Sequence, residues 1–436
     1  MLSGVVSFLS KQDLIRGGAG IFGLKTGAAA LGFVNGVVLA RLLSLESYGI
    51  LAEVIATATT LATLFTLGMP SLLTRELAAH RAHERWAQMK GVVYWAYRNV
   101  LLVCLAALAV SLVWLLTYAP VSWRLPGLFG IVMATFLAVN LLRAAVLRGL
   151  HQVISADVPD ALVQPLTILM LIGLTLHFAS RDGVIWAVSI QLAGTLCALL
   201  LGLYFLYSSW PRACAKATAV ELPEEWKRPA AIFFLIGALS IVEGQLAVLL
   251  TGALAGPEQA GLFQAGNRLV SIVVFGLLAV NAPLMPKLAA AWAKGDRLQS
   301  QALVTQAMKL GFVVAFTIAL PLLVFPGWFL GMFGQEYKLA TNAIRILVLG
   351  QLVNAASGPC GLVLAMTGHQ SKALWALAIA VVVNVSTNLW LTKGLGVIGA
   401  ATAVTGSLII WNLFMAYWAW RYARINTTLI GRVDGR

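Results

Sequence analysis

The chain has 436 residues, 60% of them hydrophobic and only 11% charged, with a formal net charge of +14 and a mean hydropathy of +0.88. Soluble domains carry about 45–50% apolar and about 25% charged residues, so an ordinary soluble enzyme is excluded. A membrane-spanning helix takes about 20 apolar residues, and twelve of them take about 240 residues, which leaves no chain for a large extramembrane domain.

Taken in order, apolar segments predict twelve helices at 17–40, 48–68, 91–117, 125–147, 161–179, 184–207, 230–253, 262–284, 303–325, 342–366, 373–391 and 397–420. The start, 1–16, reads as an interfacial helix and not as a secretory signal, because it lacks a basic leading region. Residues 17–207 form an N-lobe, 208–229 a cytoplasmic linker with Pro211, Pro223 and Pro229, 230–420 a C-lobe, and 421–436 a basic cytoplasmic tail. Aromatics near segment ends (Tyr48, Trp86, Tyr118, Trp123, Trp210, Trp226, Trp328, Tyr337, Trp420) are read as interfacial belts. With the N-terminus inside, loops and ends on that side carry 19 Lys and Arg against five on the other. The positive-inside bias therefore gives an N-in, C-in chain with an even helix count.

The two halves resemble each other. Glu46-Ser47-Tyr48-Gly49 and Glu258-Gln259-Ala260-Gly261 lie 212 residues apart, as do Arg75 and Lys287, while Gly183-Val184-Ile185 and Gly396-Val397-Ile398 lie 213 apart. Six helices per copy leave both copies facing the same way, a parallel repeat with the substrate site expected between them.

Several motifs lose on inspection. Gly18, Gly20 and Gly23 fit G-x-G-x-x-G, yet they sit inside an apolar helix with no preceding strand, which argues against a dinucleotide site. The pairs Gly23/Gly27 and Gly32/Gly36 have the spacing that lets helix backbones approach closely. The sequence contains no P-loop, so an ATPase within this chain is not expected. His80 and His83 lie in a charged loop with no third ligand, and the four cysteines (Cys104, Cys197, Cys214, Cys360) are scattered. No metal site, cofactor, catalytic set or nucleic-acid partner is expected.

The informative residues are ionisable ones within apolar segments: Lys25, Glu53, Arg98, Arg143, Glu243, Arg268, Lys309 and Arg345. Such groups are costly in hydrocarbon and usually face a bundle interior or a wet cavity. Arg143, Lys309 and Arg345 are near enough to segment ends to snorkel. At 1.5 Å per residue, Lys25 lies roughly 12 Å, Glu243 roughly 20 Å and Arg268 roughly 9 Å into their segments. Lys25 and Glu243 pair, or they line a polar cavity whose excess of bases, six to two, attracts anions and phosphates especially. Asn35, Asn140, Gln245, Asn267, Asn281, Asn354, Asn384 and Asn388 are candidates for hydrogen bonds to sugar hydroxyls or for contacts between helices.

The stretch Val38-Leu39-Ala40-Arg41-Leu42-Leu43-Ser44-Leu45-Glu46-Ser47-Tyr48-Gly49 resembles the first loop of Wzx-type polysaccharide flippases. Leu67-Gly68-Met69-Pro70 through Arg75-Glu76-Leu77, Ile241-Val242-Glu243, Gly261-Leu262-Phe263, Asn267-Arg268-Leu269, Pro283-Leu284-Met285-Pro286 and Gly396-Val397-Ile398-Gly399-Ala400-Ala401 continue the resemblance in order. It implies the all-α MOP exporter fold, two six-helix lobes around a central cavity, in a bacterial cytoplasmic (inner) membrane. It implies alternating-access translocation of an undecaprenyl-pyrophosphate-linked oligosaccharide for O-antigen, capsule or exopolysaccharide assembly. Polymerase and chain-length proteins are the implied pathway partners, and the working unit is a monomer. Lys25, Arg268 and Arg98 then engage the pyrophosphate, Glu243 and Glu53 carry cavity charge or ion coupling, and Asn35, Gln245, Asn267 and Asn281 line the cavity. Lipid II flippases are similar, but they usually have fourteen helices and several arginines in the first, where this chain has Lys25 and Asn35. Within the fold the alternative is a MATE-like ion-coupled drug antiporter, whose organic-cation substrates call for an acidic cavity. A membrane enzyme would need a larger outer loop than 326–341, whose only charges are Glu336 and Lys338.

Overall fold

A computed structural model describes residues 23–117, 121–178 and 183–429. The expected interfacial segment 1–16, Gly18, Gly20 and the last residues of the basic tail lie outside these. Among the described residues the chain is helical with no strand. In chain order the helices are α1 (Gly23–Leu42), α2 (Leu45–Phe65), α3 (Met69–Ala82), α4 (Trp86–Thr117), α5 (Val121–Gly149), α6 (Val153–Val158), α7 (Gln164–Leu174), α8 (Val184–Ser209), α9 (Arg212–Lys216), α10 (Pro223–Ala255), α11 (Pro257–Ala293), α12 (Arg297–Val324), α13 (Pro326–Gly331), α14 (Thr341–Ser357), α15 (Cys360–Met366) and α16 (Gln370–Trp418).

Ten of the described helices are long and apolar enough to cross a membrane, and α10, bent by 49° between Pro223–Ile241 and Glu243–Ala255, adds an eleventh. The last of the ten, Gln370–Ala423, has 54 residues, about 80 Å of helix against about 30 Å of hydrocarbon. It is interrupted at Gly396 (φ 54°, ψ −131°), where the Gln259 side chain accepts from the Val397 N–H at 2.9 Å. Local chemistry sets the other boundaries. Pro70 and Pro257 fill first-turn positions, where a missing N–H costs nothing. Gly68 (φ 74°) ends the α2–α3 turn, and Asp296 caps α12 by accepting from the Gln299 N–H at 2.8 Å.

The chain divides into two compact units, residues 1–35 with 57–238 and residues 36–56 with 239–436. The dividing lines fall inside α1, α2 and α10, not in the hydrophilic stretch 208–229. In the first unit α3, α5 and α8 surround Leu72, Leu73, Leu77, Leu142 and Ala198, all fully buried. Close approach there uses small residues: a Cβ on Gly149 would stand 2.7 Å from that of Leu77. In the second unit a core of Leu288, Val304, Val363, Ala376 and Ile425 joins α11, α12, α15 and α16. Asn384, Asn388, Thr392 and Ser407 form a buried polar ladder within α16, with Asn388 donating to Asn384 Oδ1 at 2.6 Å and Thr392 to Asn388 Oδ1 at 2.9 Å.

Three expectations change. Tyr48, Trp226 and Tyr337 are at most 2% exposed, so they are core residues and not interfacial belts, whereas Trp328 and Trp420 are exposed as a belt requires. The Gly23 and Gly32 positions show no heavy atom within 4 Å of an added Cβ, so no close helix approach occurs there. Arg143 does not snorkel: it is fully buried. Its Nη2 meets Asp160 Oδ2 at 2.7 Å, Nε donates to Asn140 Oδ1 at 3.0 Å, and Nη1 donates to the Ala156 carbonyl at 3.3 Å. Asp160 sits on a π-helical turn, Pro159–Val163, between α6 and α7. The arm crosses Gly202 of α8, where no Cβ fits.

This pair predicts an asymmetric response. The Asp160 side chain is 39% exposed and that of Arg143 is 0% exposed, so only the carboxylate can turn to water when its partner is lost. Asp160→Ala strands a buried guanidinium and is expected to cost about 3 kcal/mol. Arg143→Met is expected to cost less. Thermal unfolding of the two purified variants checks the order, and equal losses would contradict it.

Candidate functional site

In the second unit lie the candidates Arg268, Glu53, Glu243, Gln245, Asn267 and Asn281. Because Pro257 starts α11 five residues before the expected 262, Arg268 lies eleven residues in, about 16 Å along the axis and deeper than the sequence reading placed it. Its arm lies across α1 at Gly36. A Cβ on Gly36 would stand 2.5 Å from Arg268 Cδ, 2.7 Å from Nε and 3.0 Å from Cζ. The guanidinium also lies within electrostatic reach of the Tyr48 phenol. Tyr48 is 2% exposed, and its ring stands edge-on to Tyr337 at 5.8 Å between centroids. Arg41 Nε donates to the Met332 carbonyl at 2.6 Å, tying the end of α1 to the turn after α13.

Glu53, one turn further along α2, is 9% exposed, and its Oε1 is buried with no hydrogen-bond partner. Its side chain fills the space over Gly252 of α10. Glu243 and Gln245 are half-buried, and Glu243 stands at the bend of α10. Asn267 is exposed. Asn281 lines a cavity of about 120 Å³ together with Asn354, Met308 and Gly358.

In the first unit Lys25 is exposed on α1. Asn35 is buried, its amide donating to the Pro165 carbonyl at 3.1 Å while its Oδ1 has no partner. Arg98 is committed: its fork meets both Glu221 carboxylate oxygens at 2.9 and 3.2 Å. Asn140, Asn384 and Asn388 are spent on the internal networks described above. Gly36, Tyr48 and Gly252 escaped the sequence reading. A glycine under a charged arm looks like any small helical residue, and Tyr48 beside a loop looks like a belt.

His80 belongs to α3 and not to a loop, and it is 8% exposed. Its Nε2 is 3.7 Å from Glu76, too far for a hydrogen bond. No cluster of three or more His, Cys, Asp or Glu that could hold a metal occurs among the described residues. Burial pushes the His80 imidazole below its usual value, partly opposed by Glu76. On acidification the unfolded chain therefore takes up this proton first. The stability from burying neutral His80 is complete above about pH 6.5 and is lost as pH falls toward the folded-state value. Thermal midpoints measured from pH 7 to pH 5 are expected to fall less in His80→Gln than in the parent, and parallel slopes would exclude this imidazole as the source.

Residues 14–292 match the family described as Polysaccharide biosynthesis protein, and residues 233–390 match MatE. The probable low-salt glycan biosynthesis flippase Agl15 of Haloferax volcanii is 21% identical over 180 residues, 41% of this chain, and the match spans 38% of that protein's own length. Among solved structures, the lipid II flippase MurJ in an inward closed conformation aligns with a TM-score of 0.71 at 14% identity, over 91% of this chain and 87% of that one. An inward-facing multidrug resistance MATE family transporter of the MOP superfamily aligns at 0.70 with 15% identity, over 90% and 94%. A MOP superfamily transporter from Pyrococcus furiosus, described as having a binding pocket of reverse polarity, aligns at 0.60 with 13% identity, over 93% and 94%. The fold is that of the MOP transporters, and with more than half its length matched the chain belongs to the polysaccharide biosynthesis protein family.

Proposed function

We propose that this multi-pass membrane protein is a flippase that carries an undecaprenyl-pyrophosphate-linked oligosaccharide from the cytoplasmic to the outer leaflet of a bacterial cytoplasmic membrane. The observation that carries this reading is Arg268, a cation held deep in α11 of a polysaccharide-biosynthesis family member. An arginine presents a planar fork suited to phosphate oxygens. Lys25 of α1 is the second cation assigned to the pyrophosphate. Arg98, held by Glu221, serves only if that pair opens. Glu53, with a buried unpartnered oxygen, and Glu243, at the bend of α10, are the residues for ion coupling. Asn35, Gln245, Asn267 and Asn281 are the candidates for glycan hydroxyls.

Twelve spans, N-in and C-in, follow if α10 counts as one span and α16 as two. The six-helix lobes at 17–207 and 230–420 alternate in access, and the protein works as a monomer beside the polymerase and chain-length proteins of its pathway. No chemistry on the glycan is assigned to the chain. A MATE-like drug antiporter is the second reading, favoured by the MatE match over 233–390 and by the buried acid Glu53.

The test uses cells lacking the gene. Lipid-linked repeat units are extracted and assigned to a leaflet. Completed units held on the cytoplasmic side, released by the parent gene but not by Arg268→Ala or Lys25→Ala at normal abundance, support the flippase reading. Cation-dependent drug resistance on overexpression, without trapped glycan, supports the antiporter instead.

A further inference from the structure

Helical glycines in this protein differ in what an added Cβ would meet. Some face backbone: Gly49 faces the Pro257 carbonyl, and Gly261 faces the Leu45 carbonyl at 2.8 Å. These are places where two main chains touch. Gly36 differs, since the three atoms nearest its absent Cβ all belong to the arm of Arg268. Gly36 is buried and does not have positive φ, so helix geometry does not require glycine there. Glycine at a helix interior is in fact unfavourable relative to alanine. Room for the arginine is what the position supplies.

Within electrostatic reach of the same arm is Tyr48. Its ring is fixed by the edge-on packing against Tyr337, which is itself 2% exposed. Tyr337 in turn packs on Phe333 at 5.9 Å. The Tyr48 ring is thus backed by two further buried rings. The arm of Arg268, with four rotatable bonds, lies against a helix backbone at Gly36 and within electrostatic reach of this aromatic stack. Preorganisation of this kind reduces the ordering cost that a free arginine would incur on binding.

We propose that Gly36 and Tyr48 are positioning residues for Arg268, setting the direction in which its guanidinium meets a pyrophosphate group. This rests on the reading of Arg268 as a pyrophosphate-binding cation. Neither residue touches the ligand. They act through the arm of Arg268.

The geometry provides its own test. The atoms crowding Gly36 are the far end of a flexible side chain, so Gly36→Ala is accommodated by moving Arg268 rather than by moving a helix. The full-length protein is purified in detergent, and binding of undecaprenyl pyrophosphate is titrated alongside thermal unfolding. Gly36→Ala is expected to keep or raise the thermal midpoint and to weaken binding about tenfold, the size of one charge-assisted hydrogen bond. Tyr48→Phe is expected to weaken it in the same direction. Gly32→Ala, with open space around its Cβ, is expected to bind as the parent does. In an Arg268→Ala background, Gly36→Ala is expected to add nothing, because residues acting through one arm are not additive.

If Arg268→Ala loses binding while Gly36→Ala and Tyr48→Phe bind normally, the positioning proposal fails and the arginine assignment stands. If Gly36→Ala weakens binding equally with and without Arg268, its effect does not run through the arginine and the proposal fails. If Arg268→Ala binds like the parent, the arginine assignment falls and the positioning roles fall with it.

Discussion

An ionisable side chain inside an apolar helix bundle needs room before it can have a partner, and this constraint organises the spans. Three embedded charges lie across helical glycines: Arg143 over Gly202, Arg268 over Gly36, and Glu53 over Gly252. None of these glycines has positive φ. Each therefore costs about 0.5–1 kcal/mol of helix stability relative to alanine. That cost is small beside the several kcal/mol at stake when a charge is buried badly.

The three slots differ in how fully they are closed. Arg143 has three oxygen acceptors and no exposure, and its carboxylate partner comes from a π-turn 17 residues further on. A closed network of this kind rigidifies. It fixes α5 to the turn that leads into α7, where Pro165 receives Asn35. Glu53 keeps a carboxylate oxygen without a donor, and a half-satisfied group is unstable unless something else completes it. Architecture accounts for the Arg143 guanidinium, all three of whose nitrogens are hydrogen-bonded. The second slot leaves Glu53 Oε1 buried without a donor, the feature on which its proposed coupling role rests.

The helical membrane fold was legible because apolar segment length is a strong signal. Some helix boundaries fall in the register of the expected repeat. Helices α2 and α11 start at Leu45 and Pro257, 212 residues apart as the Glu46 and Glu258 motifs require. Helix α8 starts at Val184, and the chain breaks at Gly396, the position where the second copy was expected to open its last helix. The copies are not identical in detail. The first breaks between α2 and α3, with positive φ at Leu67 and Gly68, while α11 runs on without a break. What the sequence hid were partners. Nothing in the spacing links Arg143 to Asp160 through a π-turn, and nothing distinguishes a tyrosine within electrostatic reach of an arginine from one at a membrane interface.

Partners also alter the electrostatics that composition suggested. Six embedded bases against two acids imply a strongly positive interior. Asp160 and Glu221 neutralise Arg143 and Arg98, and Arg345 is exposed, with its Nε near the Leu323 carbonyl at 3.4 Å. Arg98 belongs to a wider seam in which the stretch after α8 is fastened to α4. Lys90 donates to the Ala215 and Ala217 carbonyls at 2.9 and 2.8 Å, the Val220 N–H donates to the Ala87 carbonyl, and Trp226 packs on Trp95. The charged start of α4 is therefore spent on holding the chain. Lys25 and Lys309 are exposed as well, so the excess of four bases does not survive as buried charge. A bulk field that weak selects poorly among anions. Discrimination has to come from directed hydrogen bonds, where the fixed fork of an arginine outperforms the point charge of a lysine. On the proposed role of Arg268, the direction in which it is held therefore matters more than the number of bases in the chain.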